Sequence, residues 1–208
     1  MTLAKKSRYK GKKGLLVVIS GPSGVGKSTV VKKLLKDYPE LVFSISASTR
    51  KPRPFEDHGK DYFFLSEEDF FSKVKNDEFL EWAQVHGSYY GTPKDFVKGN
   101  LEKGSVVISE VDVLGAASIK AHFSKNAFGG ANIVFIFLIP PSVDVLAFRL
   151  KRRKTEEQKQ VDWRLRAAIS ELQVMEKYDY IVVNDKVDSA AEKINAIIKV
   201  EKERILVN

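Results

Sequence analysis

The sequence predicts an α/β protein on a doubly wound parallel sheet, interrupted by an inserted mixed α/β subdomain and by a short, charged, helical segment. Three observations predict it. Short continuous apolar runs (Leu15 to Ile19, Leu41 to Ile45, Ser105 to Ser109, Asn132 to Ile139, Tyr180 to Val183) read as strands buried on both faces. Between most of them lie stretches with apolar residues at helical spacing, and strands alternating with helices argue for a parallel sheet covered on both sides. Residues 46 to about 100 break that rhythm with prolines, glycines and a dense aromatic set, too patterned for a loop of that length.

Taken in order, Leu15 to Ile19 leads into a glycine-rich turn. A helix then follows with Val30, Val31, Leu34, Leu35 and Tyr38 on one face, and Pro39 ends it. Within the insert, Tyr62 to Leu65 reads as a strand, Ser66 caps a helix through Phe70, Phe71 and Val74, and Phe79 to Val85 alternates like a second strand. A short helix follows Asp112. Ser142 to Leu150 places Val143, Leu146, Ala147 and Leu150 on one face; Trp163 to Lys177 is the next helix, and Ser189 to Arg204 the last. Residues 151 to 160 are highly charged and nearly free of apolar side chains, which predicts an exposed and mobile segment.

Composition narrows the class. With 208 residues, 43% hydrophobic and 30% charged, the chain has enough material for a substantial core. No apolar run approaches the roughly 20 residues of a membrane span, and no secretory leader is visible. The absence of cysteine excludes disulfides and thiolate metal sites and is compatible with the cytoplasmic location we expect. The net charge of +8 is concentrated at one end: Lys5, Lys6, Arg8, Lys10, Lys12 and Lys13 stand in the first thirteen residues with no acid among them. Residues 1–13 therefore read as a disordered basic tail. It is the one feature suited to a nucleic acid or an acidic surface, since the remainder is nearly balanced.

Gly21-Pro22-Ser23-Gly24-Val25-Gly26-Lys27-Ser28 has the spacing G-x-x-x-x-G-K-[ST] between a strand and a helix. That arrangement is a phosphate cradle. The glycines bring backbone N–H groups close to a polyphosphate, Lys27 reaches the outer phosphates, and the Ser28 hydroxyl is suited to Mg²⁺. The helix start, through Thr29, points its positive end at the same anion. This implies a nucleoside triphosphate without naming the acceptor.

The insert speaks to the acceptor. Ser46-Ala47-Ser48-Thr49-Arg50-Lys51-Pro52-Arg53-Pro54 sets two guanidinium groups on an extended segment, suited to a second phosphate. Asp61-Tyr62-Phe63-Phe64, Phe79-Leu80-Glu81-Trp82-Ala83 and Gly87-Ser88-Tyr89-Tyr90-Gly91-Thr92 follow. Together these segments resemble a guanylate kinase, in one register over residues 14 to 202.

The resemblance implies a division of the chain and a reaction. Residues 14–208 would form one domain, with its core in 14–45, 101–150 and 165–208, a GMP-binding insert at 46–100, and a lid over ATP at 151–164. The implied reaction is ATP with Mg²⁺ plus GMP or dGMP giving ADP and GDP or dGDP, a step of purine nucleotide metabolism. By position, Ser46, Arg50, Arg53, Tyr62, Glu81, Tyr90, Thr92 and Asp112 match the family's monophosphate contacts, with Arg50, Arg53, Tyr62 and Tyr90 on the phosphate. Gly21 to Thr29 with Asn184 and Asp185 match the ATP side. Lys27, Arg53, Arg153 and Arg164 match the catalytic cations, and Ser28 the Mg²⁺ ligand, with Glu110 as a second candidate.

The chemistry of the residues points the same way. Guanine offers N1–H and N2–H₂ donors and an O6 acceptor, so Glu81 and Asp112 suit the first and Ser46 and Thr92 the second. A GMP phosphate oxygen, with a second pKa of about 6, is already largely ionised at neutral pH and requires no general base. His58, His86 and His122 accordingly read as structural or surface residues. Plainer readings exist for single positions: Glu81 as a strand-edge charge, Tyr62 and Tyr90 as core aromatics, Thr92 as the cap of the helix after Pro93, Asn184 as a turn residue. Arg149, Lys151, Arg152 and Lys154 read as a solvated basic run.

Two positions depart from the family pattern. Glu110 stands where Asp is common, and Lys154 where glycine commonly follows the lid arginine. Three competing functions are a phosphopeptide-binding module of the same fold, a kinase of the same superclass acting on a phosphorylated sugar or another nucleotide, and an RNA binder working through the tail. The complete cradle counts against the first, and Glu81, Thr92 and Asp112 against the second.

Overall fold

The structure, a computed structural model, describes residues 14–85, 87–125, 132–151 and 158–204. The tail, His86, Arg152, Arg153 and Lys154 lie outside the described residues.

The expected parallel sheet is present. Strands β1 (Leu15–Ser20), β2 (Val42–Phe43), β7 (Val106–Glu110), β8 (Asn132–Ile139) and β9 (Tyr180–Val183) form a five-stranded sheet in the order β2-β7-β1-β8-β9, every neighbouring pair parallel. The unbroken apolar run of β1 follows from its central position. Leu15, Val17 and Ile19 pack on one face with α1 (Lys27–Asp37) and α7 (Val187–Glu203), while Leu16 and Val18 pack on the other with α3 (Lys94–Glu102) and α4 (Val113–Lys125). With both faces covered, strict alternation has no reason to appear.

A second, four-stranded sheet is built from β3 (Ala47–Ser48), β4 (Phe63–Phe64), β5 (Phe79–Val85) and β6 (Ser88–Pro93), in the order β4-β3-β6-β5. Helix α2 (Glu67–Lys75) backs it. Its start is fixed as expected, with Ser66 Oγ accepting from Asp69 N–H at 3.0 Å. Phe70 is fully buried and stacks on Phe79 at 4.7 Å in a small core with Ala47, Phe63, Leu65 and Tyr89. Residues alternating with these, Tyr62 and Phe64 among them, turn to the opposite face.

Several element boundaries differ from expectation. β2 is two residues long instead of the expected Leu41 to Ile45, because after Ser44 N–H pairs with Ile108 O at 2.8 Å the chain leaves the main sheet for the smaller one. The helix expected at Trp163 to Lys177 is instead α6 (Gln158–Leu172) followed by a single 3₁₀ turn (Met175–Lys177). The helix after Asp112 is a full 13 residues. α6 packs on α5 (Val143–Lys151) through a satellite core of Leu146, Leu150 and Ala168. Among the described residues no helix is long and apolar enough to cross a membrane.

Candidate active site

The cradle occupies the carboxyl end of β1, where a parallel sheet exposes its ligand edge. Its curvature depends on residues without a side chain. A Cβ on Gly21 would run into Leu138 O, and Gly26, at φ 99°, would bring one within 2.7 Å of Asn184 Nδ2. Lys27 Nζ donates to Gly21 O (2.6 Å) and Pro22 O (3.2 Å), so the ammonium lies within the loop it serves. Ser28 Oγ donates to Glu110 Oε1 at 2.6 Å. Glu110 ends β7, the neighbour of β1, so sheet order alone brings hydroxyl and carboxylate together. Such a pair of hard oxygen donors fits Mg²⁺, which is held by one or two protein groups together with phosphate oxygens and needs no larger cage.

The loop is braced from three further directions. Asn184 is buried, and its Nδ2 donates to Val25 O at 2.8 Å while its Oδ1 is buried with no hydrogen-bond partner. Arg149 donates to Val25 O (3.1 Å) and to Asn184 O (3.0 Å), which corrects the reading of Arg149 as a solvated cation. Arg164 Nη2 donates to Ser23 Oγ at 3.1 Å, and Ser23 N–H donates to Glu171 Oε2 at 3.2 Å. Asp185 and Thr29 are exposed at the cradle's rim.

Across the smaller sheet, Arg50 follows β3 and is held on two sides. Its guanidinium makes a bidentate pair with Glu56 (2.9 and 3.0 Å) and lies over the rings of Tyr62 and Phe64 at 5.3 and 5.7 Å. Hydrogen bonding to Glu56, and after it to Tyr90, raises the Arg50 pKa against the opposing effect of burial and holds it charged. Glu56 also accepts from Arg53 N–H at 2.7 Å, so one carboxylate fixes both arginines of the segment. Tyr62 meets Tyr90 edge-on at 5.9 Å, and burial raises the pKa of its hydroxyl.

At the far end stands a pair of carboxylates. The β5–β6 register that runs from Val85↔Ser88 to Trp82↔Gly91 sets Glu81 opposite Thr92 at its next step, just before the register slips towards Phe79↔Pro93. Thr92 Oγ1, itself buried, donates to Glu81 Oε1 at 2.6 Å. The helix cap after it is Pro93, so the capping alternative for Thr92 does not hold. Asp112 Oδ1 accepts from Gly115 N–H at 2.7 Å. A Cβ on Gly115 would sit 3.2 Å from Glu81 Oε2 and 3.3 Å from Asp112 Oδ1, so the glycine leaves room where the two carboxylates converge. Burial, chiefly, pushes the Glu81 carboxyl up to about 7 against the opposing Thr92 hydrogen bond, with the Asp112 charge adding to the rise.

The sequence-derived residues thus fall into three linked groups: the cradle with Asn184 and Arg164, the Arg50 and tyrosine end, and the Glu81, Thr92 and Asp112 end. Ser46 is half-buried just before β3, its carbonyl bonded to Phe63 N–H at 2.9 Å. Arg53 is exposed, and Arg153 lies outside the described residues. His58 is structural as expected, its Nδ1 accepting from Phe64 N–H at 3.2 Å. Sequence reasoning missed Glu56, Gly115, Arg149 and Glu171. Only Glu56 left a signal, as an acid three residues beyond Arg53 in an otherwise basic segment.

Comparison with known proteins points to a single family. The family model described as guanylate kinase matches residues 13–201. The chain is 50% identical to a guanylate kinase of Caldanaerobacter subterraneus subsp. tengcongensis, over 93% of this chain and 91% of that protein. It is 44% identical to a guanylate kinase of Thermotoga maritima, over 94% and 91% respectively. The crystal structure of guanylate kinase from Anaplasma phagocytophilum superimposes with a TM-score of 0.71 at 32% identity, covering 93% of this chain and 89% of that one.

Proposed function

The chain belongs to the guanylate kinase family and is an enzyme of that type, and from that premise we propose that it transfers the terminal phosphoryl group of ATP to GMP and to dGMP, with ADP as co-product. The observation that carries the choice of acceptor is the Glu81–Thr92 pair beside Asp112, two carboxylates and a hydroxyl brought together at Gly115. Carboxylates match the N1–H and N2–H₂ donors of guanine, and a hydroxyl matches O6. Adenine in the same place would leave buried polar groups unpaired, a mismatch that can reject an analogue by about 10⁴-fold.

The acceptor phosphate belongs between Arg50, Arg53, Tyr62 and Tyr90. Its oxygen is the nucleophile, and because it is already ionised the chain's task is alignment of two anions and neutralisation of their charge. Lys27, Arg53, Arg153 and Arg164 supply that positive charge. Ser28, with Glu110 beside it, would hold Mg²⁺, which when bound neutralises charge on the phosphates of ATP. Asn184, which braces the cradle through Val25 O, and Asp185 next to it stand on the adenine side of ATP in this reading. The division into core, insert (46–100) and lid (151–164) is part of the same reading.

The direct test is phosphorus NMR of the chain with MgATP and GMP. Appearance of the GDP β-phosphate signal is expected, and its absence from a folded sample would overturn the proposal.

A further inference from the structure

Ser23 is gripped twice from one helix. Its backbone N–H donates to Glu171 Oε2 at 3.2 Å, and its hydroxyl accepts from Arg164 Nη2 at 3.1 Å. Residues 164 and 171 both lie on α6 and stand about two turns apart, which places them on one face of the helix. The location of Glu171 is unfavourable taken by itself. It lies in the last turn of α6, where no basic residue accompanies it, and a carboxylate there opposes the helix dipole. It also brings negative charge to a loop whose N–H groups are arranged for phosphate. A tertiary bond is what the position offers in return, and that bond ends on the cradle.

We propose that Glu171 is a positioning residue for phosphoryl transfer, the fixed point that registers α6, and with it Arg164, against the phosphate cradle. The two grips differ in kind. The hydroxyl contact of Arg164 is one its guanidinium leaves when it turns to the phosphate in transfer; the Glu171 contact is to the main chain and stays. Arg164 therefore swings from a helix whose far end is tied to the loop it serves. Without Glu171 the arginine remains present but is no longer held at the distance the transition state requires, and small misplacements of this sort can lower a rate by about 10²-fold.

This inference rests on the proposed function, and the test is a double-mutant cycle on GMP phosphorylation by the full chain. Glu171→Ala is expected to lower kcat by about 10-fold or more while the GMP KM changes by less than about 3-fold. Glu171→Gln keeps an oxygen acceptor for Ser23 N–H and should restore most of the rate. On an Arg164→Ala background the loss from Glu171→Ala should shrink to less than about 2-fold, because the two act as a unit. Independent, multiplicative losses in a wild type that does phosphorylate GMP would overturn the positioning role and leave the proposed function standing. So would a Glu171→Gln variant as slow as Glu171→Ala. A wild type that does not phosphorylate GMP overturns both.

Discussion

The hydroxyl of Thr92 donates to Glu81 across the β5–β6 pair at 2.6 Å, so the carboxylate proposed for guanine already has one oxygen oriented by its own strand pair. This leaves Oε2 turned towards Gly115 and Asp112. Glu81→Gln presents an amide donor to the N–H groups of guanine, and kcat/KM for GMP should fall by about 10²-fold or more. Thr92→Ala should lose less, about 10-fold, because it removes orientation and spares the carboxylate. Steady-state kinetics on both variants check the order, and a larger loss from Thr92→Ala would contradict it.

The raised carboxyl of Glu81 gives two pH effects with a definite sign. Between its ordinary 4.5 and about 7, the folded chain holds more proton at this site than the unfolded chain does. Its contribution to stability therefore falls as pH rises through that window, by an amount on the order of 3 kcal/mol. Urea unfolding at pH 5 and pH 8 should show a smaller loss for Glu81→Gln than for wild type; equal losses would contradict the assignment. Because guanine needs the ionised form, GMP affinity should weaken as pH falls below about 7. Calorimetry in buffers of different ionisation enthalpy should register proton release on GMP binding near neutral pH.

Glu56 holds the side chain of Arg50 and the backbone of Arg53 at once. Glu56→Ala should therefore raise the GMP KM by about 10-fold with a smaller effect on the ATP KM. An equal rise in both would indicate general loosening of the fold.

Asn184→Ala removes the buried donor to Val25 O beneath the cradle. Val25 O keeps its bond from Arg149, so this loss should lower stability by about 0.5–1.5 kcal/mol and weaken ADP binding. Denaturant unfolding and calorimetry on the same sample read both. An unchanged ADP affinity would separate Asn184 from the ATP site.

How much of this was legible in the sequence follows from what each residue touches. β1 was readable because both its faces are buried and its neighbours in sequence are all apolar. β3 and β6 were not, because Ala47–Ser48 is only two residues long and Ser88–Pro93 is made of serine, tyrosine, glycine, threonine and proline, with no apolar alternation. The cradle was legible since its parts are contiguous. Glu81 and Thr92 could be named from the family resemblance, but their pairing depends on β5 and β6 being neighbours in one register, which no local pattern announces. Arg149 and Glu171 were missed for a different reason: each is a charged residue on a helix, indistinguishable from a solvated face until Val25 and Ser23, far away in sequence, are brought against them.

Arg53→Ala and Arg153→Ala should each lower kcat by about 10³-fold, with folded protein verified by circular dichroism. Near wild-type turnover in both would remove them from the catalytic set.

The most direct test of the central claim is ADP release from MgATP with GMP, dGMP, AMP, CMP and UMP offered separately to the purified chain. Acceleration by GMP and dGMP alone is the predicted result, since it requires the cradle, the arginines and the Glu81–Thr92–Asp112 group to work on one acceptor. Equal acceleration by AMP, or none by any nucleotide, would contradict it.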